Sequence, residues 1–187
     1  MTTDQVSSLT VEPAIFQLGL PPGNGSTSCT DCCVAMIVRH EKGHAVTAGQ
    51  VRKASGNTDV NTGLTPRQAL TALSAFGVNG YTYISGPTAS DVLAATDNGL
   101  VLTGVGYWAY PSIAQAEVGG KNDFGFGGPH AILVAGRRYW ATKPSFWGTG
   151  PFAAGWRFWG RDPDHSQGWH AGYDGRGPHG SSGRWVR

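Results

Sequence analysis

The stretch that decides the fold is Cys29-Thr-Asp-Cys-Cys-Val-Ala-Met-Ile-Val-Arg-His-Glu41. Seven consecutive small or apolar residues fill its middle, from Cys32 to Val38. A helix that is apolar on every side is buried, and a buried strand is the alternative for a short apolar run. The polar Thr-Asp start, the charged end and Gly43 as a C-cap favour the helix. We therefore predict a buried helix over residues 29–41.

Three more helices are predicted after this one, two of them as surface helices over residues 47–55 and 65–76 and the third over residues 88–96. The second has Thr65 as N-cap and Gln68 at the capping-box position, a pairing that satisfies two free backbone N–H groups. The third repeats the box with Thr88 and Asp91. The predicted apolar face of helix 65–76 consists of three residues, Leu70, Leu73 and Phe76.

The second half of the chain predicts strands instead of helices. Short apolar or aromatic runs over residues 100–105, 131–135 and 156–160 are typical of strands. The connections between them, residues 106–129 and 139–155, are long and rich in glycine and aromatic residues, and long loops in a compact domain are usually functional. Helices followed by strands indicate an α+β chain with an antiparallel sheet.

The chain has 187 residues, of which 14% are charged, with a formal net charge of +2. That charge is too small to predict a nucleic-acid partner, and no apolar run approaches the roughly 20 residues of a membrane helix. The first residues lack the basic segment and apolar core of a secretory signal, so we expect synthesis in the cytoplasm. One domain over residues 29–165 is expected, with a lead-in arm (residues 1–28) and a Gly-, Arg- and His-rich tail (residues 166–187).

The three cysteines are Cys29, Cys32 and Cys33. An odd number within five positions does not form a disulfide framework, so we expect free thiols in a reducing compartment. A thiol at the start of a helix has a lowered pKa, because the helix dipole and the unpaired N–H groups favour the thiolate. This predicts a reactive Cys29. Cys32 and Cys33 are expected in the core, although Cys32 is an alternative nucleophile.

A histidine and an aspartate follow in positions that suit nucleophilic catalysis. His130 starts the predicted strand 131–135 after a glycine-rich approach, and Asp162 follows the predicted strand 156–160. A thiolate, a base and a group that orients the base form the usual catalytic triad. Core packing of Cys29, a strand role for His130 and a plain turn at Asp162 are the structural alternatives.

The spacing and the sequence context of the motifs disfavour a zinc site, a redox site and a nucleotide-binding site. Cys29-x-x-Cys32 followed by His40-x-x-x-His44 resembles a zinc motif. If the stretch is helical, however, eight residues separate Cys32 from His40, which is about 12 Å of helix and too far for one metal ion. A thioredoxin-like redox motif lies near a βαβ pattern, and no such pattern precedes these cysteines. The glycine clusters lack the neighbouring strand and helix of a nucleotide-binding motif. We therefore predict no metal and no cofactor.

The order of these motifs resembles papain-like cysteine peptidases, and among them the double-glycine-leader (bacteriocin-processing) peptidases and their phage relatives. Cys29-Thr-Asp-Cys-Cys-Val-Ala-Met36 matches the spacing of a C-G-P-A-S-L-A-M motif. The stretch GLTPRQALTALSAFG from Gly63 matches a helical motif of the family, and GPHAILVAG from Gly128 matches its G-H-A-x-x-V-x-G motif. RDPD from Arg161 matches the aspartate turn.

The resemblance implies a papain-like fold in which a buried helix carries the cysteine and an antiparallel sheet carries the histidine and the aspartate. It implies Cys29 as nucleophile, His130 as general base and Asp162 as orienting group. The family usually has a glutamine, an oxyanion donor, where this chain has Gly23. Asn24 and Ser26 are therefore the candidate replacements for that donor.

The resemblance also implies a function and partners. We expect a cysteine peptidase or amidase, and more narrowly a hydrolase of bacterial cell-wall peptides associated with a phage virion or with lysis. The alternatives are a catalytically weak or inactive peptidase-fold subunit of a phage tail, and a leader-processing peptidase. The expected partners are a peptide substrate and other virion subunits, with assembly into the virion after cytoplasmic synthesis.

Overall fold

A computed structural model of the chain describes residues 6–8, 27–87, 89–106, 129–140, 155–161, 163, 169–171 and 184–186. The helices among them are α1 (Cys29–Lys42), α2 (Ala48–Ser55), α3 (Pro66–Ala75) and α4 (Ala89–Thr96). The strands are β1 (Val6–Ser8), β2 (Tyr83–Ser85), β3 (Val101–Gly106), β4 (Pro129–Trp140), β5 (Gly155–Arg161), β6 (Trp169–Ala171) and β7 (Arg184–Val186).

Helix α1 is the predicted buried helix, and it ends one residue later than predicted. Every residue from Thr30 to Val38 is buried, as expected for a helix that is apolar on all sides. Gly43 ends the helix with a φ of +70°, and its N–H donates to the carbonyl of Arg39 at 2.9 Å. No helix in the described part of the chain is long and apolar enough to cross a membrane.

Helices α2 and α3 both begin with a complete capping box, formed by Thr47 with Gln50 and by Thr65 with Gln68. The predicted capping box at Thr88 lies outside the described residues. The predicted apolar face of helix 65–76 is confirmed as the side that packs against the core, and two alanines extend it. The buried residues of α3 are Ala69, Ala72 and Leu73, whereas Leu70 and Phe76 are only partly buried against the core. The small alanines share a face at helical spacing and bring α3 close to its neighbours, which the large residues alone did not reveal.

The sheet is antiparallel throughout its described pairings, which confirms the predicted α+β class. Its order is β2-β7-β3-β4-β5-β6, and β1 also pairs with β4. Strand β4 runs from Pro129 to Trp140, so the predicted strand 131–135 covers only its middle. The predicted connection 139–155 therefore starts too early. A bulge between Val134 and Gly136 interrupts the pairing of β4 with β5.

Four short strands were not predicted, namely β1, β2, β6 and β7. Strand β1 comes from the expected arm, and β6 and β7 come from the expected tail. Strand β7 fills the position between β2 and β3, so the last described residues of the chain lie inside the sheet. The sheet therefore includes residues on both sides of the expected domain 29–165.

The core lies between α1 and the sheet. Alternate residues of β4 join it, since Ala131, Leu133 and Ala135 cluster with the buried residues of α1. Helices α2 and α3 also pack on α1, whose residues from Thr30 to Val38 are all buried. Helix α1 is thus enclosed, and its first residue is held against the start of β4.

The tight packing around α1 predicts a large effect of truncation at Ile37, a fully buried residue. Replacing it with alanine should lower the free energy of unfolding by about 2–5 kcal/mol, because a cavity remains, and replacing it with valine by about 0.5–1.5 kcal/mol. Urea denaturation of both variants measures the difference. If both variants lost the same free energy of unfolding, the neighbouring side chains would have moved to fill the cavity that alanine leaves.

Candidate active site

Cys29 is the first residue of α1 and is partly exposed. The helix begins with a bond from the N–H of Cys32 to the carbonyl of Ser28 at 2.9 Å. The N–H groups of the first helical residues have no carbonyl one turn earlier to bind. Positive partial charge therefore collects at the helix start beside the Cys29 thiol.

His130 is the second residue of β4 and is 3% exposed. It lies opposite Val105 of β3 in the sheet. The side chains of His130 and Cys29 are joined by a hydrogen bond. The structure thus brings together the two residues that the sequence analysis nominated as nucleophile and base.

Residue Ala131 ties the helix to the strand at this place. Its N–H donates to the sulfur of Cys29, and its carbonyl accepts a bond from the Cys33 thiol at 3.6 Å. Two successive turns of α1 are therefore fixed to the residue that follows His130. Cys33, predicted only as a core residue, also positions the helix on the strand.

The pKa of Cys29 is lowered from its ordinary value, although burial acts in the opposite direction and is the largest single influence. The hydrogen bond from His130 and its positive charge oppose burial most strongly. Bonds from the backbone of Ala131 and the side chain of Thr30 add to the effect. These groups stabilise the charged form, so the Cys29 thiolate forms more readily than that of an ordinary cysteine.

Cys32 has the opposite environment. It is fully buried, and its pKa is raised by that burial and by the nearby charges of Asp31 and Cys29. A buried thiol with a raised pKa has little thiolate and poor access to a substrate. These observations favour Cys29 over Cys32 as the nucleophile, and the predicted core role of Cys32 and Cys33 is confirmed by their burial.

The other nominated residues fall outside the described part of the chain. Asp162 lies there, as do Gly23, Asn24 and Ser26. Arg161, which precedes Asp162, is described and pairs in the sheet with Leu133, three residues after His130. The roles of an orienting group and of a second oxyanion donor therefore stay predictions.

Two contributors to the site were not predicted from the sequence. Thr30 bonds the Cys29 sulfur, and Asp31 forms a buried ion pair with Arg52 of α2 at 2.7 Å. No local pattern signals this pair, because a charged residue on a predicted surface helix is usually solvated. Burial raises the pKa of the Asp31 carboxyl, while the charge and hydrogen bonds of Arg52 act to lower it.

The helical course of α1 also decides against the zinc pattern. Cys32 and His40 both lie on α1, so about 12 Å of helix separates them along its axis. Zinc ligands lie only about 2.0–2.3 Å from the metal. These two residues cannot bind one ion together.

No protein-family model matches the chain, and no curated protein matches its sequence. Solved structures do match its fold. The peptidase domain of Streptococcus ComA, a bifunctional ABC transporter involved in a quorum-sensing pathway, has a TM-score of 0.53 at 13% identity. The match covers 93% of this chain and 96% of that domain.

A second similar structure is a protein from Bacillus anthracis described as a C39-like peptidase. Its TM-score is 0.51 at 10% identity, and the match covers 94% of this chain and 96% of that protein. At such low identities the likeness concerns the fold. The chain therefore has the papain-like α+β fold of C39-like peptidase domains, as the sequence resemblance predicted.

Proposed function

We propose that this chain is a cysteine peptidase or amidase with Cys29 as nucleophile and His130 as its base. The observation that carries the proposal is the hydrogen bond between the two side chains, at the start of a buried helix. A thiol next to an imidazole at a helix N-terminus is the usual form of an activated cysteine. The fold of the chain agrees with this chemistry.

The reaction has two stages. The Cys29 thiolate attacks the carbonyl carbon of a peptide bond, and the backbone N–H of Cys29 stabilises the oxyanion that forms. His130 then gives its proton to the leaving amine as the C–N bond breaks, which leaves a thioester. In the second stage His130 takes a proton from water, the hydroxide displaces the sulfur, and the carboxylic acid and the thiolate are released.

Two further groups complete the proposed machinery, one that orients His130 and one that binds the oxyanion. Asp162 would orient the imidazole of His130, as the third member of a triad does. Asn24 or Ser26 would supply a second hydrogen bond to the oxyanion, in place of the glutamine that is usual in the family whose motifs this sequence resembles. Loss of one oxyanion donor typically lowers the rate about 10²–10³-fold, so alanine variants at these two positions distinguish between them.

For the substrate we propose bacterial cell-wall peptides, cleaved by a virion- or lysis-associated enzyme. The motif resemblance to phage relatives of the leader peptidases supports this choice. The low share of charged residues, 14%, fits a protein that buries surface against other virion subunits. A double-glycine leader peptide is the alternative substrate, since the similar ComA domain belongs to a transporter.

The test is digestion of purified peptidoglycan and, in parallel, of a double-glycine leader peptide. New primary amines are counted with a fluorogenic reagent. We expect release from peptidoglycan by the untreated protein and none after carboxamidomethylation of Cys29. Cleavage of the leader peptide alone would overturn the substrate proposal. No release from either substrate would favour the alternative of an inactive virion subunit.

A further inference from the structure

The guanidinium of Arg52 contacts the chain on both sides of Cys29. Its Nε and Nη2 donate to the two carboxylate oxygens of Asp31, at 3.3 and 2.7 Å. Its Nη2 also donates to the backbone carbonyl of Thr27 at 3.1 Å. Thr27 lies two residues before Cys29 and Asp31 two residues after it. One side chain from α2 therefore holds both flanks of the proposed nucleophile.

The remaining donors of Arg52 bind a neighbouring loop. Its Nη1 donates to the carbonyls of Asp59 and Thr62, at 2.8 and 3.0 Å. All five N–H groups of the guanidinium are thus used. The side chains of Arg52 and Asp31 are only 4% and 0% exposed, so water cannot readily replace these bonds. A lysine, with three donors on one atom, does not reproduce this planar arrangement.

The loop that Arg52 binds is itself fixed to the lead-in of α1. The hydroxyl of Thr27 donates to the carbonyl of Val60 at 2.7 Å. Inside the loop the N–H of Asp59 donates to the side chain of Asn57 at 2.9 Å. The lead-in, the first turn of α1 and the loop therefore form one hydrogen-bonded unit with Arg52 at its centre.

The start of α1 needs such support because it lacks an ordinary cap. Helices α2 and α3 begin with capping boxes, whereas the side chain of Ser28 makes no capping bond at the start of α1. The buried Ser28 hydroxyl has no hydrogen-bond partner among the described residues. Arg52 only donates hydrogen bonds and so does not satisfy the free N–H groups as a capping side chain does, but its bonds to Thr27 and Asp31 hold the same segment in place from outside the helix.

We propose that Arg52 is a positioning residue for Cys29. It holds residues 27–31 so that the thiol meets His130 and the N–H of Cys29 points at the oxyanion. The assignment rests on the proposed function, because it gives Arg52 a role at that same site. Misplacement of reacting groups by about 1 Å can cost about 10² in rate, so a small shift of this turn is sufficient to impair catalysis.

The experiment measures the alkylation rate of Cys29 against pH, with tandem mass spectrometry to locate the label, and kcat on the peptidase substrate. The variants are Arg52→Gln and Arg52→Lys, and the second keeps the positive charge. Lys53→Gln is the charge control, since Lys53 is the exposed neighbour of Arg52 on α2. Val51→Ala, at a fully buried position of the same helix, controls for lost stability.

We expect the alkylation profile of Cys29 to move to higher pH in both Arg52 variants, and kcat to fall about 10²-fold in Arg52→Gln. Lys53→Gln and Val51→Ala should retain the wild-type profile at temperatures where they are folded. A wild-type profile and kcat in Arg52→Lys would overturn the proposal, even if Arg52→Gln does not fold. Equal losses in Val51→Ala would also overturn it, since Arg52 would then act only through stability.

The alkylation readout separates this proposal from the proposed function. It requires no substrate, so it reports on Arg52 even if wild-type protein cleaves no peptide. An inactive wild type together with a shifted Cys29 profile in Arg52→Lys would remove the proposed function and keep the positioning of the thiol. An active wild type together with an unshifted Cys29 profile in Arg52→Lys would keep the proposed function and remove the positioning role of Arg52.

Discussion

Cys29→Ala abolishes peptide hydrolysis, whereas Cys32→Ala leaves kcat nearly unchanged; this is the largest effect that we expect. Loss of a nucleophile typically costs more than 10³-fold in kcat, because the remaining groups stabilise the transition state without forming the covalent intermediate. Cys29 is partly exposed and bonded to His130, while Cys32 is buried with a raised pKa. Amine release from the substrate, measured for both variants at equal folded concentration, checks the prediction.

Cys32→Ala serves here as the matched control, since both variants lose one sulfur from the same helix. It leaves a small cavity in the core and should lower stability by about 1 kcal/mol, so thermal unfolding is recorded alongside. The reverse result, an active Cys29→Ala and an inactive Cys32→Ala, would assign the nucleophile to the alternative cysteine. Unchanged activity in both variants would remove the cysteine mechanism altogether.

The fold around α1 could be predicted because the local signals agree with each other. The run from Cys32 to Val38 is apolar on all sides, and Gly43 supplies the left-handed residue that ends the helix. The capping boxes of α2 and α3 depend on residues three positions apart. Signals of this kind depend on residues close in the sequence, so they can be read without knowing the rest of the fold.

The missed strands depend on distant partners instead. Strand β7 has three residues, Arg184–Val186, and it pairs with residues 83–85 and 102–103. Three residues are too few for an alternating pattern to be recognised. Their place in the sheet is fixed by backbone hydrogen bonds to strands that lie far away in the sequence, which local patterning does not show.

The residues of the candidate site also fall into two groups, those that local sequence signals predicted and those that only the fold revealed. Cys29 and His130 stand out because each begins a recognisable element beside glycine-rich sequence. Arg52 did not, since a charged residue on a predicted surface helix is usually solvated, and Asp31 was interpreted only as part of the polar start of the first helix. Their pairing became visible only when the fold placed α2 against the start of α1 and buried both side chains.

His130→Ala should lower kcat/KM about 10³-fold and move the alkylation profile of Cys29 to higher pH. The sign follows from the opposing influences on the thiol. Burial raises the pKa of Cys29, and the hydrogen bond and charge of His130 are the main influences that lower it. Without the imidazole, the remaining opposition to burial comes from the weaker bonds of Ala131 and Thr30 and from the start of the helix. The pKa then rises, and each unit of rise leaves about tenfold less thiolate below it.

Iodoacetamide kinetics between pH 5 and about pH 10 measure this shift at Cys29, with His40→Ala as the control. His40 lies near the far end of α1, so its loss should leave the profile and the activity unchanged. The two readouts have different causes: the pH shift reports the thiolate, and the residual loss of kcat/KM above the new pKa reports proton transfer to the leaving amine. If His130→Ala lost only as much activity as its smaller thiolate fraction explains, His130 would stabilise the nucleophile without acting as general acid. An unchanged profile would separate His130 from Cys29 altogether.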